Sequence, residues 1–143
     1  MLEEFKKLNP YVKLIIGVVA LIIIYTAIIR FSAWYKIKSS QFELNQEQSV
    51  YQNQGQLLSY PPTQYQTYAD TLASSTHWYN DDEQSIYTVF KKMRNDLDIL
   101  ELEKKYRVSY GRTISEFLSA VFNRTEINEV NAILRSNQIV RNY

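Results

Sequence analysis

The chain carries few residues able to do chemistry. His77 is its only imidazole, and its 143 residues include no cysteine. Disulfides, thiolate metal sites and histidine-clustered metal centres are therefore excluded together. His77 has Trp78 beside it and Asp70 nearby, but no motif-placed serine completes a nucleophile–base pair, so it reads as a structural or solvated loop residue. The run Asp81-Asp82-Glu83 offers the carboxylate oxygens that calcium prefers. It fits equally well as cap and first-turn anions on a helix dipole. Two basic runs, Lys91-Lys92-Met93-Arg94 and Lys104-Lys105-Tyr106-Arg107, could meet phosphates. Asp96, Asp98, Glu101 and Glu103 counter them, however, and residues 81–143 hold ten charges of each sign. That neutrality argues against nucleic-acid binding and for solvated, ion-paired helix faces. Asn123-Arg124-Thr125 matches a glycosylation sequon, although both polar residues also suit a helix junction and its cap. With no catalytic or metal constellation, the sequence implies a non-enzymatic protein with no cofactor.

The elements that would carry these residues divide by composition. Leu14 to Ile29 is free of charge and is bracketed by Lys13 and Arg30. At 1.5 Å per residue it covers about 24 Å, and Tyr11 on one side with Trp34 and Tyr35 on the other lie about 35 Å apart, the separation of two interfacial aromatic belts. Lys13 and Arg30 can snorkel outward. Residues 10–38 are therefore expected to form one transmembrane helix, with Asn9 as N-cap and Pro10 at the first helical position. A cleaved signal peptide would place small residues where Arg30, Phe31 and Trp34 stand. A core helix that is apolar all round would need a larger surrounding domain. The flanking charges tie at three on each side, so the positive-inside rule assigns no orientation. Residues 1–9 place Leu2, Phe5 and Leu8 at helical spacing, as in a short amphipathic turn.

Residues 39–62 read as a polar stalk. Between 41 and 80 there is no Lys or Arg, the net charge is −3, and eight glutamines occur. Glutamine and glutamate are good helix formers, so the helix is expected to continue to about Gln54 and to stop at Gly55. Tyr60-Pro61-Pro62 then forces an extended break. Twelve tyrosines are present. Tyr51, Tyr60, Tyr65, Tyr68 and Tyr79 concentrate in the stalk and the start of the next segment, where an amphipathic ring suits a protein interface or the cover of a small core.

Residues 63–143 show four or five short amphipathic patterns. Tyr65, Tyr68, Ala69, Leu72 and Ala73 form one face, and Ile86, Val89, Phe90 and Met93 another. Leu97, Leu100 and Tyr106 suggest a less regular third. Thr113 and Glu116 make a capping box ahead of Phe117, Leu118, Val121 and Phe122. Ile127, Val130 and Leu134 share the last face, beside Asn131, with Ser136-Asn137 as a stop. The fold class that follows is all-α: an N-terminal transmembrane helix, an extended polar stalk and a small C-terminal bundle of four to five short helices.

The segments Asp82 to Ile86, Val89-Phe90, Asn95 to Leu100, Glu116 to Leu118 and Glu126 to Leu134 together resemble one annexin-type repeat. They are most similar to the divergent single repeats of bacterial and phage proteins. The resemblance covers about residues 63 to 142 and implies a five-helix head. In annexins a GxGTDE loop and a distal acid hold calcium against phospholipid. Here Trp78-Tyr79-Asn80-Asp81-Asp82-Glu83 stands in that place without either glycine, and Ala120 falls near the distal acid, with Glu116 a helical turn away. Calcium binding by Asp81, Asp82 and Glu83 is accordingly not expected. The reading as a whole is a structural or interaction subunit of a larger membrane-associated assembly, most concretely a phage virion protein, whose partners are a lipid bilayer and other protein subunits. The alternative is a cellular anchored protein whose head binds phospholipid or calcium peripherally.

Overall fold

A computed structural model describes residues 9–75 and 82–143. Among these residues all regular structure is helical: α1 (Pro10–Asn53), α2 (Pro62–Ser74), α3 (Glu83–Lys92), α4 (Asp96–Tyr110), α5 (Ile114–Val121) and α6 (Arg124–Ser136). The chain forms two compact units, Met1–Lys38 and Ser39–Tyr143.

In the first unit the start of α1 follows from its sequence. Pro10 supplies a pre-set helical φ, and the Asn9 side chain accepts from the Tyr11 N–H at 3.0 Å. One window, Pro10–Ser32, is long and apolar enough to cross a membrane, and none of it is buried within the chain. Thr26 and Ser32, the threonine and serine of this window, donate to the carbonyls of Ile23 and Ile29, each at 2.9 Å. Their polar groups are thus satisfied inside the helix, as an apolar solvent requires.

The second unit includes the segment expected to be a separate stalk. Residues 39–62 fold with the head because Leu44 and Gln48 turn inward and are buried. The end of α1 is a Schellman arrangement in which Gly55 adopts φ +84°, Gly55 N–H donates to Gln52 C=O at 2.9 Å, and Gln56 N–H donates to Tyr51 C=O at 3.0 Å. Pro62 then opens α2.

The remaining helix limits are set by local chemistry. Asp82 caps α3 by accepting from Ser85 N–H at 3.1 Å, and Asn95 caps α4 by accepting from Asp98 N–H at 2.9 Å. The Thr113–Glu116 capping box opens α5, and Asn123 with Glu126 makes a second one for α6. Gly111 ends α4 in the left-handed region at φ +69°. After α6 the same region is taken by Gln138, at φ 61°, with Ile139 N–H returning to Leu134 C=O at 3.0 Å.

Helix α4 is the axis of the bundle. It packs against α2 on one side and α5 on another, while α3 bridges α2 and α6. Tyr65, Phe90, Met93, Tyr106 and Phe117 are the bulky side chains of the single core. Every residue from Asp96 to Glu103 is buried, which explains why α4 shows no clean one-face pattern in the sequence.

Candidate functional site

Two features can carry function: the uncovered apolar part of α1, and the polar and aromatic constellation around α4. Tyr11, Trp34 and Tyr35 are all exposed on α1, and Arg30 is exposed between them. Lys13 is partly buried. Phe31 and Trp34 pack ring to ring at 5.8 Å, and the Lys38 ammonium sits 4.7 Å from the Trp34 ring centre. Aromatic rings and cations gathered at the C-terminal end of an apolar run are the side chains that suit a membrane–water boundary.

The four acids of α4 depart from the sequence reading. Asp96, Asp98, Glu101 and Glu103 are not solvated helix faces but are buried, Asp98 completely. Each satisfies donors from a different part of the unit. Asp98 accepts from Ser59 N–H at 2.9 Å, Arg94 N–H at 2.9 Å and the Tyr65 hydroxyl. Asp96 accepts from Val140 and Arg141 N–H at 3.0 and 3.1 Å. Glu103 accepts from Ile114 N–H at 3.2 Å and pairs with Arg107 at 2.9 Å. Glu101 accepts from the Gln48 amide at 2.8 Å and pairs with Lys105 at 3.5 Å. The second basic run therefore does supply ion pairs, through Lys105 and Arg107, but to carboxylates held in the interior.

Through Glu101 the end of α1 joins the bundle. Gln48 bridges Glu101 and Lys104, and Glu47 pairs with Arg141 at 2.9 Å. Tyr51 lies near this pair, its phenol raised above the ordinary value by burial and then by Asp96 and Glu47. The C-terminal tail closes the constellation: Asn131 and Tyr143 exchange two hydrogen bonds at 2.7 and 2.8 Å, and the Tyr143 ring meets Phe90 edge-on at 5.8 Å.

Of the five tyrosines singled out as interface candidates, the structure gathers three. Tyr60, Tyr65 and Tyr68 pack mutually edge to face with centroids 5.7 to 6.4 Å apart. Tyr65 has no exposed surface, and its pKa is raised by burial and by the bond to Asp98. It is a core residue and cannot meet a partner. Tyr60 and Tyr68 are partly exposed; Arg94 stacks on Tyr60 at 5.5 Å, and Tyr68 lines an open groove of about 220 Å³ with Thr88, Val89 and Lys92. Tyr79, His77, Trp78 and Asp81 lie outside the described residues. Asp82 and Glu83 occupy the N-cap and first turn of α3, and Glu116 belongs to a capping box. Among the described residues no group of three or more acids or histidines is placed to hold a metal ion.

These arrangements define an all-helical chain with one helix long and apolar enough to span a membrane and a C-terminal helical bundle. No family model, curated protein or solved structure matches it.

Proposed function

We propose that this protein is a non-enzymatic, single-pass membrane protein whose helical head serves as a structural or interaction subunit of a larger membrane-associated assembly. The most concrete form of this reading is a membrane-associated phage virion protein. The observation that carries it is the Pro10–Ser32 window, apolar and with none of it buried by the chain. In water such a surface is costly, and a core helix of comparable composition would be enclosed. A signal segment passes the same test of length and composition. The continuation of α1 as helix through Arg30, Phe31 and Trp34 favours a retained anchor instead.

The head supports an interaction role. Its interior is occupied by residues that hold the fold together, and its buried acids are engaged by backbone and side-chain donors of the same unit. Its similarity to a single annexin-type repeat belongs to this proposal too, without the calcium function. The test is alkaline carbonate extraction of membranes carrying the full chain, followed by detergent solubilisation and sizing. Retention in the pellet and co-migration with larger proteins in fixed ratio are expected. Release into the supernatant would refute the anchor, and a lone species free of other proteins would refute the subunit role.

A further inference from the structure

Tyr25 is the one polar-tipped residue of the apolar window that is set deep between the aromatic belts and has no intrahelical partner. It stands between two and three residues past the midpoint of Tyr11 and Trp34, about 4 Å along the axis, and about 14 Å short of the Trp34 level. Every helical Cα–Cβ bond tilts toward the N-terminus, so the phenol is carried back toward the bilayer centre rather than out to the nearer boundary. Thr26 and Ser32 satisfy their hydroxyls on backbone carbonyls. The longer tyrosine side chain is 66% exposed and makes no hydrogen bond among the described residues. A hydroxyl at that depth without a partner is strongly disfavoured.

We infer that the apolar helix pairs, side by side and in parallel, with the same helix of a second copy of this chain along a seam centred on Tyr25. The inference rests on the membrane-anchor reading above. A parallel copy inserts in the same sense and so places its own Tyr25 at the same depth. A phenol both donates and accepts, and two of them meeting satisfy each other with no third group. The spacing agrees. Val18, Tyr25 and Ser32 recur every seven residues, and Leu21, Ile28 and Tyr35 fall between them, the seam of a left-handed helix pair. Beside Tyr25 the layer of Val18 and Leu21 has the β-branched residue at the first position and the leucine at the second that favour two strands, and a polar Tyr25 layer favours one register.

The chain's lack of cysteine makes the test direct. Single-cysteine variants of the full chain are reconstituted in phosphatidylcholine vesicles and oxidised: Val18→Cys, Leu21→Cys and Ile28→Cys on the seam, Ile16→Cys and Ile23→Cys on the opposite face. The seam variants are expected to form disulfide-linked dimers and the others not. Adding Tyr25→Phe, which removes only the hydroxyl, is expected to weaken dimerisation by about three- to fifteen-fold. Carbonate extraction of the same vesicles separates the two readings. A chain that resists extraction but gives no dimer, cross-links without periodicity, pairs with a different protein, or is unmoved by Tyr25→Phe overturns the pairing and leaves the anchor standing. A chain released by carbonate overturns both.

Discussion

Asp98 offers the sharpest test of how the head is held together. Its carboxylate is fully buried and receives three donors, Ser59 N–H, Arg94 N–H and the Tyr65 hydroxyl. The Asp98→Asn substitution keeps the shape but turns one of the two acceptor oxygens into a donor. If the amide oxygen stays with Ser59 and Tyr65, the new NH₂ faces the Arg94 N–H; if it flips, the Ser59 N–H is orphaned instead. In either case one buried backbone donor loses its partner, at about 1–3 kcal/mol, and each surviving bond loses its charge assistance, roughly 1 kcal/mol apiece. The expected cost is about 3–5 kcal/mol, a large part of the roughly 5–15 kcal/mol that stabilises a domain of this size. At about 4–5 °C per kcal/mol, the melting midpoint should drop by some 12–25 °C.

The assay is urea unfolding of the full chain in mild detergent, followed by near-ultraviolet circular dichroism, because α1 contributes far-ultraviolet signal that need not report on the head. Asp70→Asn is the control. Asp70 also accepts two bonds, from Gln66 and the Tyr110 hydroxyl, each at 2.8 Å, but at an exposed position. Its cost should stay below about 1 kcal/mol, since water can replace the partner. If the two variants unfold at the same midpoint, within error of the parent, Asp98 is not a hub and the account of the polar interior is wrong.

Two further outcomes follow from the same physics. Burial, with Glu129 and Glu83 adding to it, pushes the Tyr87 phenol up to about 12, and Tyr65, Tyr106 and Tyr143 are also raised, chiefly by burial. Each is protonated in both states below pH 10, so its contribution is complete there; above 10 the unfolded chain releases the proton first, and stability falls by about 1.4 kcal/mol per pH unit for each such tyrosine until its folded pKa is passed. Ionisation of Tyr65, Tyr87, Tyr106 and Tyr143, followed by absorbance at 295 nm, should thus come only above pH 10 and together with unfolding, and their ionisation near pH 10 with the head still folded would contradict it. Gln138→Gly, at φ 61° after α6, should stabilise the head by roughly 0.5–1 kcal/mol by removing a Cβ from the left-handed region, and a lower urea midpoint would refute that reading of the turn.

Much of this architecture was legible in the sequence because it is written in local signals. Asn9-Pro10, Gly55, Pro61-Pro62 and the Thr113–Glu116 box each act within a few residues, and each sits at the helix boundary where its chemistry placed it. The faces of α2, α3 and α6 were legible because those helices bury one side only. Helix α4 was not, since Leu97, Ile99, Leu100 and Leu102 point to several sides and the acids fall between them. Charge alternation on a helix usually means solvent. The available clue was the reverse of a motif: acids interrupting an apolar run, with the basic residues arriving only after Glu103. Whether Leu44 and Gln48 meet the head depends on contacts more than fifty residues away, as between Gln48 and Glu101, and no short-range pattern reports them.

The placement of those acids bears on how such a small head can be specific without disulfides. Five short helices leave many backbone N–H groups at their starts and in the turns between them. Local caps satisfy some. The α4 acids satisfy others at long range: Asp98 serves the turns before α2 and α4, Asp96 the C-terminal tail, and Glu103 the first N–H of α5. Because a carboxylate left without its donors in the interior is far costlier than a lost apolar contact, each of these bonds discriminates against misregistered packing more than it adds net stability. The same reasoning applies to residues 39–53 of α1, where Leu44 is the one buried apolar side chain and Gln48 and Glu47 make the polar bonds. An attachment of that kind within the second unit is selective in register and modest in strength, because it rests on two polar bonds and one buried leucine rather than on a broad hydrophobic seam.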